Sequence, residues 1–90
     1  MVTEHQAYIL RIIDIPYELD NINYYAREIG DFKKMLEGEV AQNNEEIKQW
    51  FQYFLTYAEI ELEAANERLT EYRQKLNDYE QRQRELQPVQ

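Results

Sequence analysis

Few side chains in this sequence could carry covalent or metal chemistry. His5 is the only imidazole, cysteine and serine are absent, and Thr3, Thr56 and Thr70 are the only aliphatic hydroxyls. A transition-metal site needs several His or Cys ligands at fixed spacing. A nucleophile needs a base beside it. Neither can be assembled here, and the sequence holds no P-loop, no G-x-S-x-G and no glycine-rich dinucleotide turn. The residues thus read as a non-enzymatic protein without metal or cofactor, with His5 a solvated histidine next to Glu4.

Carboxylates and aromatics are the chemistry that remains. Glu59, Glu63, Glu67 and Glu71 recur every fourth residue, one ridge along a helix. Like charges at that spacing repel, so the ridge is either a tolerated solvated face or a rail for a basic partner. A carboxylate di-metal centre would need Glu-x-x-His pairs on facing helices, and none occurs. Twelve residues are aromatic, eight of them Tyr, and Trp50, Phe51, Tyr53, Phe54 and Tyr57 crowd two helical turns. Five aromatics there cannot all point into one helix, with Tyr24, Tyr25 and Phe32 expected opposite. The candidate partner-binding residues are therefore Trp50, Tyr53, Tyr57, Glu59, Glu63 and Glu67.

Charge narrows the classes of partner. Ten Lys and Arg against eighteen Asp and Glu give a net charge of −8. A duplex nucleic-acid binder needs a basic face to displace counterions, and the nearest approach is the pair Lys33-Lys34. Anionic membranes are disfavoured for the same reason, and no apolar run nears the ~20 residues of a membrane span. The stretch from Ala7 to Ile13 is broken by Arg11, is preceded by Glu4 and has no small-residue cleavage site, so it reads as helix rather than as a secretion signal. Without cysteine there are no disulfides, and the expected location is the cytoplasm. The acids are uneven. From Glu39 to Glu67 there are seven against Lys48 alone, whereas from Arg68 onward five bases meet four acids.

Helices must position these groups. With 2 Gly and 2 Pro in 90 residues there are too few turn formers for a strand-rich fold, and 43% apolar residues is too many for a disordered chain. Thr3 followed by Gln6 is a capping-box pair, opening a helix over about 4–14. Pro16 disfavours the helical conformation at Ile15 yet suits the first turn of a new helix, expected over 16–37. Gly30 weakens that helix. Gly38 is the expected C-cap, Glu39–Gln42 the turn, and Asn43 with Glu46 the next N-cap. A long helix over 44–87 follows, with Pro88 as its stop.

Periodicity tells which faces are buried. Phe51, Leu55, Ala58, Leu62, Ala65, Leu69, Tyr72, Leu76, Tyr79, Gln83 and Leu86 alternate at spacings of four and three, with the leucines from Leu55 to Leu76 at heptad a positions. Between Ile47 and Ala65 further apolar residues widen the stripe. From Arg68 onward only the seam remains, flanked by Glu71–Lys75, Asp78–Arg82 and Glu80–Arg84, and residues 66–87 read as a coiled-coil arm. The helix before Pro16 is the other element able to cover that seam. On the first half, Tyr8, Ile12, Ile15, Leu19, Ile22, Ala26 and Ile29 follow the same alternation, extended by Phe32 and Leu36.

The fold class that follows is all-α: an antiparallel helical hairpin with a short helix before Pro16 and a long second helix extending into a coiled coil, all in one domain. A chain this short buries only roughly 60–65% of its surface alone, so a homo-oligomer, a dimer first, is expected through Leu55, Leu62, Leu69, Tyr72, Leu76, Tyr79 and Leu86. The function read from this is a self-associating helical interaction protein, such as a scaffold, adaptor or accessory subunit. The alternative is an acidic inhibitor filling the nucleic-acid-binding groove of another protein, as phage and mobile-element counter-defence proteins do.

Overall fold

The computed structural model describes residues 1–86, all helices and short connections without a strand. Helix α1 (Glu4–Ile9) runs through a π-helical turn (Leu10–Asp14) directly into α2 (Ile15–Glu37); a single turn α3 (Glu39–Gln42) then leads to α4 (Glu45–Leu86). Helices α2 and α4 pack along each other as an antiparallel hairpin. The molecule extends 71 × 21 × 15 Å along its principal axes. The expected Pro88 stop, and residue 87 of the expected long helix and arm, lie outside the described residues.

Thr3 opens α1 as its side chain predicts. Its Oγ1 accepts from the Gln6 amide at 3.1 Å, and the Gln6 Oε1 accepts from the Thr3 amide at 2.9 Å. At Pro16 the chain does not break. Asp14 and Ile15 both keep right-handed helical backbone, against the usual bias before proline. Proline lacks the N–H that would reach back four residues, and its ring presses on that carbonyl. The π turn relieves this, because the Ile15 amide donates to the carbonyl of Leu10, five residues back. A π turn also inserts one residue into the helical repeat. It rotates α1 so that Ala7 and Leu10 become buried, while Tyr8, Ile12 and Ile13 stay about half exposed.

The connection differs in two details from expectation. Gly38 does cap α2, but in extended rather than left-handed backbone (φ −75°, ψ 163°). Residues Glu39–Gln42 then form a helical turn, and Gln42 Nε2 donates to the Leu36 carbonyl at 2.7 Å, closing the end of α2. Asn43 is used up as the end of that turn, its amide bonded to the Glu39 carbonyl. The cap of α4 is therefore Asn44 rather than Asn43, with its Oδ1 accepting from the Ile47 amide at 3.2 Å.

The arm does not stand apart. Arg11 reaches Glu80 at 3.1 Å, and Val2, Ile9 and Leu10 border one hollow with Tyr72 and Lys75. The segment before Pro16 thus lies along α4 beyond Arg68. Of the acid-before-base pairs there, Glu71–Lys75 forms at 3.1 Å. Asp78 instead accepts from Gln74, and Glu80 from Arg11.

Candidate interaction surfaces

The seam between α2 and α4 is built in layers. Glu18 meets Arg68, Tyr25 lies beside Glu61, and Phe32 stacks on Phe54 with ring centroids 5.7 Å apart. Each step of seven along α2 is matched by a step of seven along α4, the repeat of left-handed helix packing. Ala58 and Ala65 are buried in the seam; their small size lets the helices approach.

Glu18 is 1% exposed, the only buried charged residue among those described. Both carboxylate oxygens accept from the Arg68 guanidinium, and Oε1 also accepts from Asn21 Nδ2 at 2.8 Å. The Arg68 hydrogen bond holds the Glu18 carboxyl below the ordinary carboxylate range, outweighing the opposing effect of burial, with Asn21 assisting. The same bond raises Arg68. Burial raises the Tyr25 phenol, and neighbouring Tyr57 and Glu61 add to it. This pair was missed in the sequence because a charged residue breaks an apolar stripe. The available signal was the shared seven-residue spacing of Glu18, Tyr25 and Phe32.

One edge of the hairpin is an open apolar face. Ile29 and Lys33 of α2 border an open groove with Leu62, Glu59, Glu63 and Asn66 of α4. Within α2, Ile15 and Ile22 share the heptad position of Ile29, and Leu19 and Ala26 that of Lys33, whereas the π turn puts Ile12 out of that register. Leu55, Leu69 and Leu76 share the position of Leu62. The regular stripe of the first half is therefore split: Ile15, Ile22 and Ile29 are half-buried beside the seam, Ile12 is 49% and Leu19 38% exposed, and Leu10, Glu18 and Tyr25 face α4.

The predicted interface residues spread over this geometry. Leu69 is buried within the chain, Leu55, Leu62, Tyr72, Leu76 and Tyr79 are half-buried, and Leu86 is exposed. Tyr72 lies beside Leu10 and Asp14, on the seam. The predicted partner-binding residues divide into two groups. Glu59, Glu63 and Glu67 border the Leu62 groove. Trp50, Tyr53 and Tyr57 lie on the opposite edge of α4, all at least half exposed.

No group of three or more His, Cys, Asp or Glu among the described residues is arranged to hold a metal ion, and none of their helices is long and apolar enough to cross a membrane. Comparison with protein-family models, curated proteins and solved structures finds no match to this chain.

Proposed function

We propose that this protein is a non-enzymatic helical interaction protein that self-associates, two hairpins packing face to face into a four-helix bundle. The observation that carries this is the open face formed by Ile15, Leu19, Ile22 and Ile29 with Leu55, Leu62 and Leu76, none of which the hairpin buries fully. A hairpin is half of a four-helix bundle, and this face supplies the a/d-type residues the other half requires. The area is consistent. The chain exposes 7064 Å², about 1,400 Å² more than a compact monomer of its mass. A standard interface covers about 800 Å² on each partner.

Charge favours an antiparallel pair. A parallel pair would place two copies of the Glu39–Glu67 region, each of net charge −6, side by side. The antiparallel pair sets that region against the partner's segment beyond Arg68, where five bases meet four acids, and like-charge contacts are avoided.

Light scattering tests the reading. Wild type at about 100 μM should run at twice 11.1 kDa, and Leu19→Glu combined with Ala26→Glu should give a helical monomer, since neither side chain is buried within the hairpin. A wild-type monomer at that concentration overturns the proposal. The orientation is read by a spin label at Asn43→Cys in this cysteine-free chain. Two labels should lie about 70 Å apart in the antiparallel pair and within about 25 Å in a parallel one.

A second reading, an acidic inhibitor of a nucleic-acid-binding groove, is favoured by the exposure of Glu59, Glu63 and Glu67 on one ridge. Its signature is a salt-sensitive complex with a basic protein that is lost on charge reversal of this ridge.

A further inference from the structure

We infer that the outer aromatic edge of α4, formed by Trp50, Tyr53, Tyr57 and Ile60, is a docking site for a basic amphipathic helix of another protein. This surface lies across the hairpin from the proposed dimer face and does not depend on it. Its residues follow spacings of three, four and three, one apolar stripe about 15 Å long. All four are 50–64% exposed, where large apolar side chains lose most from contact with water.

The stripe is built on a firm base. Trp50 stacks on Phe54 at 5.9 Å, Tyr53 meets Phe54 edge-on at 5.6 Å, and Phe54 stacks in turn on Phe32 of α2. The seam therefore orders the inner rings, and the outer rings are held in place before any partner arrives. Little side-chain entropy is left to lose on binding, the condition under which Trp and Tyr make strong anchors.

Charge specifies the occupant. Glu46 shares a hollow with Gln49, Trp50 and Tyr53, and Glu61 lies by Tyr57, close enough to act on Tyr25 together with it. Lys48, the only base between Glu39 and Glu67, has the heptad position of Leu55 and Leu62 and so belongs to the other edge. Acids interleaved with electron-rich rings favour Lys and Arg, through ion pairs and through cation–π contacts with Trp and Tyr. The heptad-like stripe and the absence of any sheet edge among the described residues make the complementary shape a helix, with apolar anchors at i, i+3 or i+4, and i+7. A second copy does not fit, because it carries the same net charge of −8 and has an excess of only one base in either residues 27–34 or the segment from Arg68 onward.

Trp50 is the only tryptophan, so its emission reports this site alone. The probe is a tryptophan-free 18-residue peptide with a leucine stripe flanked by Lys and Arg. Its controls are the same peptide with Glu replacing each base and a scrambled peptide of equal composition. The basic helix should change Trp50 emission saturably, with an affinity that falls as salt rises. Tyr53→Ala with Tyr57→Ala should weaken binding at least about tenfold, and Glu46→Lys by about fivefold. Glu63→Lys, on the opposite edge, should change it by less than about twofold. Circular dichroism checks that each variant keeps its helix content. An unchanged Trp50 signal, equal binding by either control peptide, or full binding by the double alanine variant overturns the proposal. So does a Trp50 emission that follows dissociation of the dimer on dilution, since a second copy would then cover the stripe.

Discussion

Removing the guanidinium from Arg68 tests the layered seam most directly. In wild type the Glu18 carboxylate is 1% exposed, and Arg68→Ala leaves Asn21 as its only other hydrogen-bond partner. Breaking a buried pair from one side costs about 3–5 kcal/mol when the orphaned charge stays ionised. Glu18 has a cheaper route, which is to bind a proton. Protonating a carboxyl of ordinary pKa 4.5 at pH 7 costs about 3.4 kcal/mol, at 1.36 kcal/mol per unit. That figure is a ceiling on the cost of the orphaned charge alone, and loss of the pair's own stabilisation adds to it. The Arg68 side chain is itself 41% exposed, which lets water reach the site, so the expected loss at pH 7 is about 2–3 kcal/mol.

The sign of the pH dependence separates this cause from simple loss of packing. In wild type the folded pKa of Glu18 lies below its unfolded value. The pair thus stabilises the fold above the unfolded pKa, and this contribution is lost as pH falls through the lowered folded value. In Arg68→Ala the folded pKa lies above the unfolded one. Its stability therefore declines as pH rises from about 4.5, and the gap from wild type narrows toward acid pH. Urea denaturation from pH 4.5 to 7.5, at one protein concentration so that the proposed self-association contributes equally, measures both slopes. Adding Glu18→Gln to Arg68→Ala should recover more than half of the loss and remove the pH dependence. A variant within about 0.5 kcal/mol of wild type, or a gap that is constant with pH, refutes the assignment of Glu18 as a buried, ionised partner.

Other substitutions probe the remaining elements. A Cβ added at Gly30 would meet nothing within 4 Å, so Gly30→Ala should raise stability by up to about 1 kcal/mol in thermal or urea melts. Thr3→Ala removes the hydroxyl that accepts from the Gln6 amide and should cost about 1 kcal/mol, with amide exchange accelerating in residues 4–9. Phe32→Ala removes the ring under Phe54 and should cost about 2–4 kcal/mol, with a shift in Trp50 emission because Trp50 rests on the same stack. Because the π turn and α1 lie along α4, amides of residues 68–80 should exchange about as slowly as those of 47–62. Much faster exchange there would mean that this contact does not persist.

Much of the hairpin was legible because it depends on local chemistry. Thr3 and Gln6 can bond only one way, Gly38 interrupts two good helical patterns, and over forty residues without Gly or Pro admit little besides one helix. Register was not legible. Tyr8, Ile12, Ile15 and Leu19 are the most regular apolar series on the first half, and periodicity alone assigns the most regular series to the nearest partner. The chain instead turns Leu10, Glu18 and Tyr25 toward α4. Two non-local facts decide this. The π turn forced beside Pro16 shifts α1 by one residue, and the Glu18–Arg68 pair fixes the pairing fifty residues apart. Neither can be read from a single-helix pattern. Asn44 replaced Asn43 as the cap for a similar reason, since the preceding residues formed a helical turn that consumed Asn43.

The displaced stripe bears on why so charged a seam is kept. An apolar pair at positions 18 and 68 would often be as stable or more so, and it would also leave the hairpin free to pair through either edge. A buried ion pair tolerates few registers, because any slip strands a charge in the interior. Holding Glu18 opposite Arg68 therefore commits one set of residues to the seam and keeps Leu19 and Ile22 on the edge that the proposed dimer would use. Double replacement by Glu18→Leu and Arg68→Met tests this separation of folding from assembly. The hairpin should remain as stable as wild type to within about 1 kcal/mol, while in sedimentation the proposed single dimer should give way to a mixture of sizes. If the double variant remains a uniform dimer, the pair contributes stability alone, and the apolar stripes by themselves determine which edge meets the second copy.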